Sequence, residues 1–311
     1  MNFENQKKAI KRLILSQPHE ALMAEYYVWW LAHAMRASRD ASKFGFQSAR
    51  NFNPRDYKTS ETVFLLGSGW SINEIDDQGW DKIKENDSIG FNFWPVHPHR
   101  PNLYFFEAAN PNINAALSTV VAEQFITMAK SRPDYADIPK IMTDFEPQRW
   151  SSVEGLPDTW RQNLFAANTF PMFVRNEGEA KTGMRLLNAL GVFDESDDLN
   201  LVLKYRATIV MLVSLAVRMG YRRIVLCGID MSDPRYFYQT PERLGEFQSS
   251  QPAPTHATLW EVPMLANVPD ILHAMNEVVL KPRGIEIFVE NRCSALFPRI
   301  PELRARDLGV G

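Results

Sequence analysis

The sequence predicts an α/β fold with a Rossmann-like, mainly parallel sheet flanked by helices. Three stretches predict it. Val63 to Leu66 is an unbroken apolar run closed by Gly67-Ser68-Gly69, the pattern of a strand buried on both faces and followed by a sharp turn. Ile224 to Cys227 is a second such run, closed by Gly228-Ile229-Asp230. Between them, Ala207 to Val217 is nearly all apolar and stops at Arg218-Met219-Gly220, a buried helix with a basic last turn and a glycine stop. A buried helix that feeds a buried strand is the repeating unit of α/β proteins.

Residues 1–60 read as a helical N-terminal extension. Glu20 to Ser42 has helical composition without Pro or Gly, and Tyr26, Tyr27, Trp29, Trp30 and Leu31 form an aromatic patch on it. That patch packs on the main domain, on another copy of the chain or on a membrane surface, and packing within the protein is the simplest of the three. His33 on the same segment reads as a packing or surface residue. Asn51 to Ser60, polar and broken by Pro54, reads as a linker.

The main α/β domain then covers residues 61–311. Thr62 opens its first strand, and Ser71 followed by Glu74 has the spacing of a capping box, which places a helix start directly after the glycine turn. A strand, a glycine turn and a helix N-terminus converge their free N–H groups on one point, and the natural guest is a phosphate. Ser88 to Trp94 is a second strand, with Asn92 at its carboxyl end, where open α/β sheets bind ligands. Leu103 to Phe106 is a third. Residues 111–200 hold a helix at Ala115 to Lys130 and another at Thr182 to Leu190, with a Pro- and Trp-containing stretch between them. This region reads as an inserted lid or small subdomain. Leu272 to Leu280 has a helical pattern, and Ile285 to Val289 is the last strand, leading into Glu290-Asn291.

Several chemistries are disfavoured. A formal net charge of −3 gives no electrostatic case for nucleic acid. A dinucleotide site would carry a longer glycine signature and an acidic residue where Asn92 stands. His97 and His99 lack a third ligand at recognised spacing, so no metal is expected there, and the loop Pro95 to Pro101 reads as solvated and proline-stiffened. Cys227 and Cys293 lie far apart beside apolar runs and read as buried free thiols of a reducing compartment. Met1 to Arg12 is too polar for a signal peptide, and no apolar run reaches the roughly 20 residues of a membrane span. The expected location is cytoplasmic, with a peripheral position at the inner membrane face as the alternative.

Taken together, these pieces resemble the bacterial sialyltransferases of glycosyltransferase family 42. Gly67-Ser68-Gly69-Trp70-Ser71-Ile72 is similar to the family's strand-exit motif Gly-Asn-Gly-Pro-Ser-Leu. Phe91-Asn92-Phe93 resembles its second strand end, where an Asn contacts the nucleotide. Tyr205 to Asp230 resembles its long helix and the strand ending in Gly-Ile-Asp, with Thr208 where the family has Ser. Arg235-Tyr236 falls where it has a Ser-Tyr pair, and Ile285 to Leu303 resembles its last strand and the following segment.

The resemblance implies a single GT-A-like domain that moves a sialic-acid-like sugar from a CMP-activated donor to a glycan acceptor, with inversion and without a metal cofactor. The setting it implies is cell-surface polysaccharide biosynthesis. In the family a His deprotonates the acceptor hydroxyl and tyrosines hold the departing phosphate. His256, the one His in the matching interval, takes the base role, with Tyr236 and Tyr238 at the phosphate. Gly67, Ser68, Gly69, Ser71, Asn92, Thr208, Gly228, Asp230 and Arg235 would hold the nucleotide. Ser232 stands where the family has a further tyrosine, and Ser68 where it has an Asn.

Two other readings compete. A family of archaeal pterin diphosphokinases carries a similar Gly-x-Gly-x-Ser motif and Gly-Ile-Asp strand, which would call for Mg²⁺-ATP and make Asp230 a metal ligand. A non-catalytic module that keeps the nucleotide fold and docks through Tyr26 to Trp30 is the third.

Overall fold

A computed structural model describes residues 46–108, 115–143, 151–197, 199, 201–240, 259, 262 and 264–309. The expected helix Glu20 to Ser42, its aromatic patch and His33 lie outside the described residues. The strands are β1 Gln47–Ser48, β2 Thr62–Leu66, β3 Asp87–Phe91, β4 Leu103–Glu107, β5 Lys140–Thr143, β6 Leu164–Ala166, β7 Asn168–Pro171, β8 Leu201–Lys204, β9 Arg223–Cys227 and β10 Glu286–Val289. The longer helices are α1 Asp77–Lys84, α2 Ala115–Ser131, α3 Glu177–Ala189, α4 Thr208–Arg218 and α5 Val268–Met275.

Among the described residues, eight strands form one sheet in the order β1-β6-β5-β4-β3-β2-β9-β10, parallel at every pairing. β7 and β8 pair separately. From β2 the chain steps outward through β3, β4, β5 and β6, then returns to place β9 and β10 on the other side of β2. The direction of winding therefore reverses between β2 and β9, and a crevice opens beyond the carboxyl ends of strands at such a point. Leu66 is level with Cys227 on one side and Gly90 on the other, so three strand exits share one height.

Alternation along the strands supplies both core faces. Val63, Leu65, Ile224 and Leu226 point to the side covered by α3, α4 and α5. Phe64, Leu66, Val225 and Cys227 point to the side of α2 and the aromatic group Trp94, Tyr104, Tyr135 and Trp160. Every residue of α4 from Thr208 to Val217 is buried, which explains why its sequence shows no polar face. Among the described residues, no helix is long and apolar enough to cross a membrane.

Four expectations change. The stretch read as a linker folds onto the sheet: Phe52 is buried and stacks on Tyr57 at 5.0 Å. Asp87, at the start of β3, accepts hydrogen bonds from the Thr59 N–H at 2.8 Å, the Thr59 hydroxyl at 2.6 Å, the Ser60 N–H at 3.0 Å and the Tyr221 hydroxyl at 3.1 Å. Residues 111–200 are not a lid laid over a finished sheet, since they supply β5 and β6 of the sheet itself. The loop at Pro95 is packed, with the His97 ring against both Trp80 at 4.7 Å and Trp94 at 4.6 Å. His99, held largely out of water beside the same rings, has its pKa lowered to about 4. Finally, Cys293 is exposed, whereas Cys227 is buried as expected.

β10 hands over to Glu290, a carboxylate only 3% exposed. Burial pushes its pKa up to about 7, against the pull of Arg304 at 3.5 Å. A folded-state pKa above the ordinary value means that the native protein holds this proton longer than the unfolded chain does. Its stability contribution is therefore complete at low pH and is lost as pH rises to about 7. Relative to wild type, Glu290→Gln is expected to gain about 3 kcal/mol between pH ~4.5 and pH ~8, read from urea titrations at a series of pH values. Parallel pH profiles for the two proteins would refute this.

Candidate functional site

The crevice at the winding reversal is a cleft of 430 Å³, within the size range of small-ligand sites. Its floor is two backbone turns locked together. The Gly67 N–H donates to the Cys227 carbonyl at 2.8 Å, and the Gly69 N–H donates to the Gly228 carbonyl at 2.8 Å. A Cβ on Gly69 would sit 2.7 Å from the Gly228 carbonyl oxygen and 2.6 Å from Asp230 Oδ2, so only glycine lets the turns meet. Gly228 has φ of +64°, a conformation that costs other residues strain.

Asp230, 3% exposed, fastens this floor. Its Oδ2 accepts the Ser71 N–H at 2.9 Å, and its Oδ1 accepts the Ser71 hydroxyl. The capping box is consequently not formed. Ser71 gives its hydroxyl to Asp230, Glu74 accepts from Asn291 Nδ2 at 2.6 Å, and the residues after the turn make a short 3₁₀ segment, Trp70–Glu74. α1 begins only at Asp77, capped by Asp76. Burial raises the Asp230 pKa, and the two Ser71 hydrogen bonds pull it back.

The helix whose N-terminus faces the cleft is α4. Ala207 precedes it with no side-chain cap, and Ala207, Thr208 and Ile209 all line the cleft, so first-turn N–H groups and the positive end of the helix point at the ligand space. The Thr208 hydroxyl donates to Glu107 Oε1 at 2.6 Å, and Lys204 holds the other Glu107 oxygen at 2.8 Å. These contacts tie the start of α4 to the end of β4.

The opposite wall is Asp233, Arg235 and Tyr236. Gly69 and Tyr236 form an antiparallel bridge, and the Phe237 N–H donates to the Ser68 carbonyl at 2.9 Å. The Arg235 guanidinium lies over the Trp70 ring at 4.4 Å. The Tyr236 ring stacks on Tyr238 at 5.3 Å, and burial raises its pKa. On the third side, Asn92 has φ of +54°, which Asn tolerates, and its backbone carbonyl accepts the Tyr104 hydroxyl while its side chain is exposed. Ser68 Oγ is buried and has no hydrogen-bond partner among the described residues, although Ser68 lines the cleft. A buried hydroxyl without a partner is costly unless a ligand completes it.

Of the residues expected from the sequence, Ser68, Gly69, Asn92, Thr208, Gly228, Asp230, Arg235 and Tyr236 line this one cleft. Gly67 and Ser71 lie beneath it. Tyr238 is not on the wall. It is 7% exposed, packed behind Tyr236 and against Phe93 and Phe237, so its ring supports Tyr236. His256 lies outside the described residues. Two charged cleft residues escape a sequence reading. Arg206 has φ of +44° and donates to the Ala266 carbonyl at 3.0 Å, a role hidden in the lead-in to an apolar helix. Asp233, in the polar and aromatic loop after β9, is the other. Comparison with known proteins finds no family model that matches the chain and no match among curated proteins.

Proposed function

We propose that the cleft binds a nucleotide-activated sugar and that the protein is an inverting glycosyltransferase using a CMP-linked, sialic-acid-like donor. The observation that carries this is the convergence on one cleft of the N-terminus of α4, the unpartnered Ser68 hydroxyl and the Arg235–Tyr236 wall, all at the reversal between β2 and β9. Those groups are donors suited to a phosphate, and CMP as leaving group develops its charge there. In the reaction an acceptor hydroxyl attacks the anomeric carbon, the carbon–oxygen bond to the phosphate breaks, and CMP departs with the bonding electrons. His256 takes the hydroxyl proton. The choice of CMP and of a sialic-acid-like sugar comes from the motif resemblance. Orientation of both Asp230 oxygens toward Ser71 favours this reading over one in which that carboxylate serves a metal.

A thermal-shift screen of CMP, CDP, UDP and ATP, each with and without Mg²⁺, tests it. CMP is expected to raise the melting temperature without Mg²⁺, reflecting about 2.7 kcal/mol at a hundredfold excess over Kd. A shift from ATP alone, and only with Mg²⁺, would replace the proposal with phosphoryl transfer. No shift from any nucleotide would leave a non-catalytic module. Transfer or donor hydrolysis is expected to vanish in His256→Ala, and retained turnover would remove that base.

A further inference from the structure

We infer that Asp233 is a positioning residue that holds Arg235 as a preformed clamp for the phosphate of the bound nucleotide, an inference that rests on the nucleotide reading above. Arg235 Nε lies 3.0 Å from both oxygens of Asp233, and its Nη2 donates to Oδ2 at 2.6 Å. The Arg235 backbone N–H also donates to Asp233 Oδ1 at 2.9 Å, closing an Asx turn over Pro234. With Trp70 beneath its face at 4.4 Å, the guanidinium is fixed along one edge and on one side.

A guanidinium has five N–H donors in a rigid fork. Asp233 engages the Nε–H and one Nη2–H, which leaves three donors on an arginine that lines the cleft beside Ser68, Gly69 and Tyr236. An exposed arginine ordinarily loses rotamer freedom when it closes on an anion. Here folding has already removed much of that freedom, so the contact costs less when the ligand arrives. A planar fork also matches phosphate oxygens better than a point charge does. Asp233 is held in its ionised form by the same arginine, so the pair persists across neutral pH.

The test measures dissociation constants for CMP, cytidine and inorganic pyrophosphate on the full chain, for wild type, Asp233→Asn, Arg235→Ala and the double variant. Asparagine keeps an oxygen for the Asx turn and gives up the second carboxylate oxygen, which separates loop integrity from the hold on the guanidinium. Asp233→Asn is expected to weaken CMP and pyrophosphate about tenfold, to leave cytidine unchanged, and to add nothing in the Arg235→Ala background. Unchanged or tighter CMP binding, equal weakening of cytidine, or additive losses in the double variant would overturn the clamp. If pyrophosphate binding depends on the pair while no nucleotide binds, the clamp stands and the nucleotide reading falls. If nothing binds, both fall.

Discussion

Replacing Asp230 with alanine is expected to destabilise the protein by about 3 kcal/mol and to abolish any nucleotide-induced thermal shift. The carboxylate is 3% exposed, and it takes both the N–H and the hydroxyl of Ser71, 159 residues away. Alanine would strand both donors in a place water does not reach and would free the glycine turn to leave its seat against β9. Asp230→Asn should cost less, since one acceptor oxygen remains and the buried charge is gone. Burial raises the Asp230 pKa, so the stability it contributes is greatest at low pH and declines as pH rises, and the gap between wild type and Asp230→Asn should narrow toward neutral pH. Denaturant midpoints at several pH values measure this. An alanine variant as stable as wild type would show that Ser71 finds other partners.

Gly69→Ala should be about as damaging, at about 3 kcal/mol, by the opposite cause. One added methyl meets the Gly228 carbonyl at 2.7 Å and Asp230 Oδ2 at 2.6 Å, and neither is the loose end of a side chain. The two turns must separate, breaking the 2.8 Å bond from Gly69 to Gly228 and with it the bridge to Tyr236. Because Gly69 has φ of −66°, the loss is one of space and not of backbone preference. Chemical denaturation together with CMP titration would detect it, and normal values for both would mean the turns are looser than they stand.

The elements around the cleft are those whose local signals agree with their surroundings. Val63–Leu66, Ile224–Cys227 and nearly all of α4 are apolar because they are buried, and glycine marks the strand exits where backbones touch. The centre of the chain is harder to read for a physical reason. β5 is four residues long and begins with Lys140, which is fully buried only because its ammonium donates to the Tyr135 and Ile138 carbonyls at 2.6 and 2.7 Å. Burial draws its pKa down to about 8. A lysine at that position argues against a buried strand until the carbonyls are seen. The Ser71–Glu74 spacing misleads in the same way: distant partners, Asp230 and Asn291, outcompete the local hydrogen bonds a capping box would make. The Asp233–Arg235 pair is local, yet in the sequence it is one of many charged loop pairs.

The placement of β9 between β2 and β10 sets an order on synthesis. While the ribosome is still producing residues 67–222, β2 can pair with β3 on one side only, and its other edge presents Thr62 to Leu66 with unpaired peptide groups. Such an edge is a sticky template for other nascent chains. The arrival of residues 223–230 closes that edge and, in the same event, completes the floor of the cleft. Closure of the exposed edge and completion of the cleft floor are thus a single event.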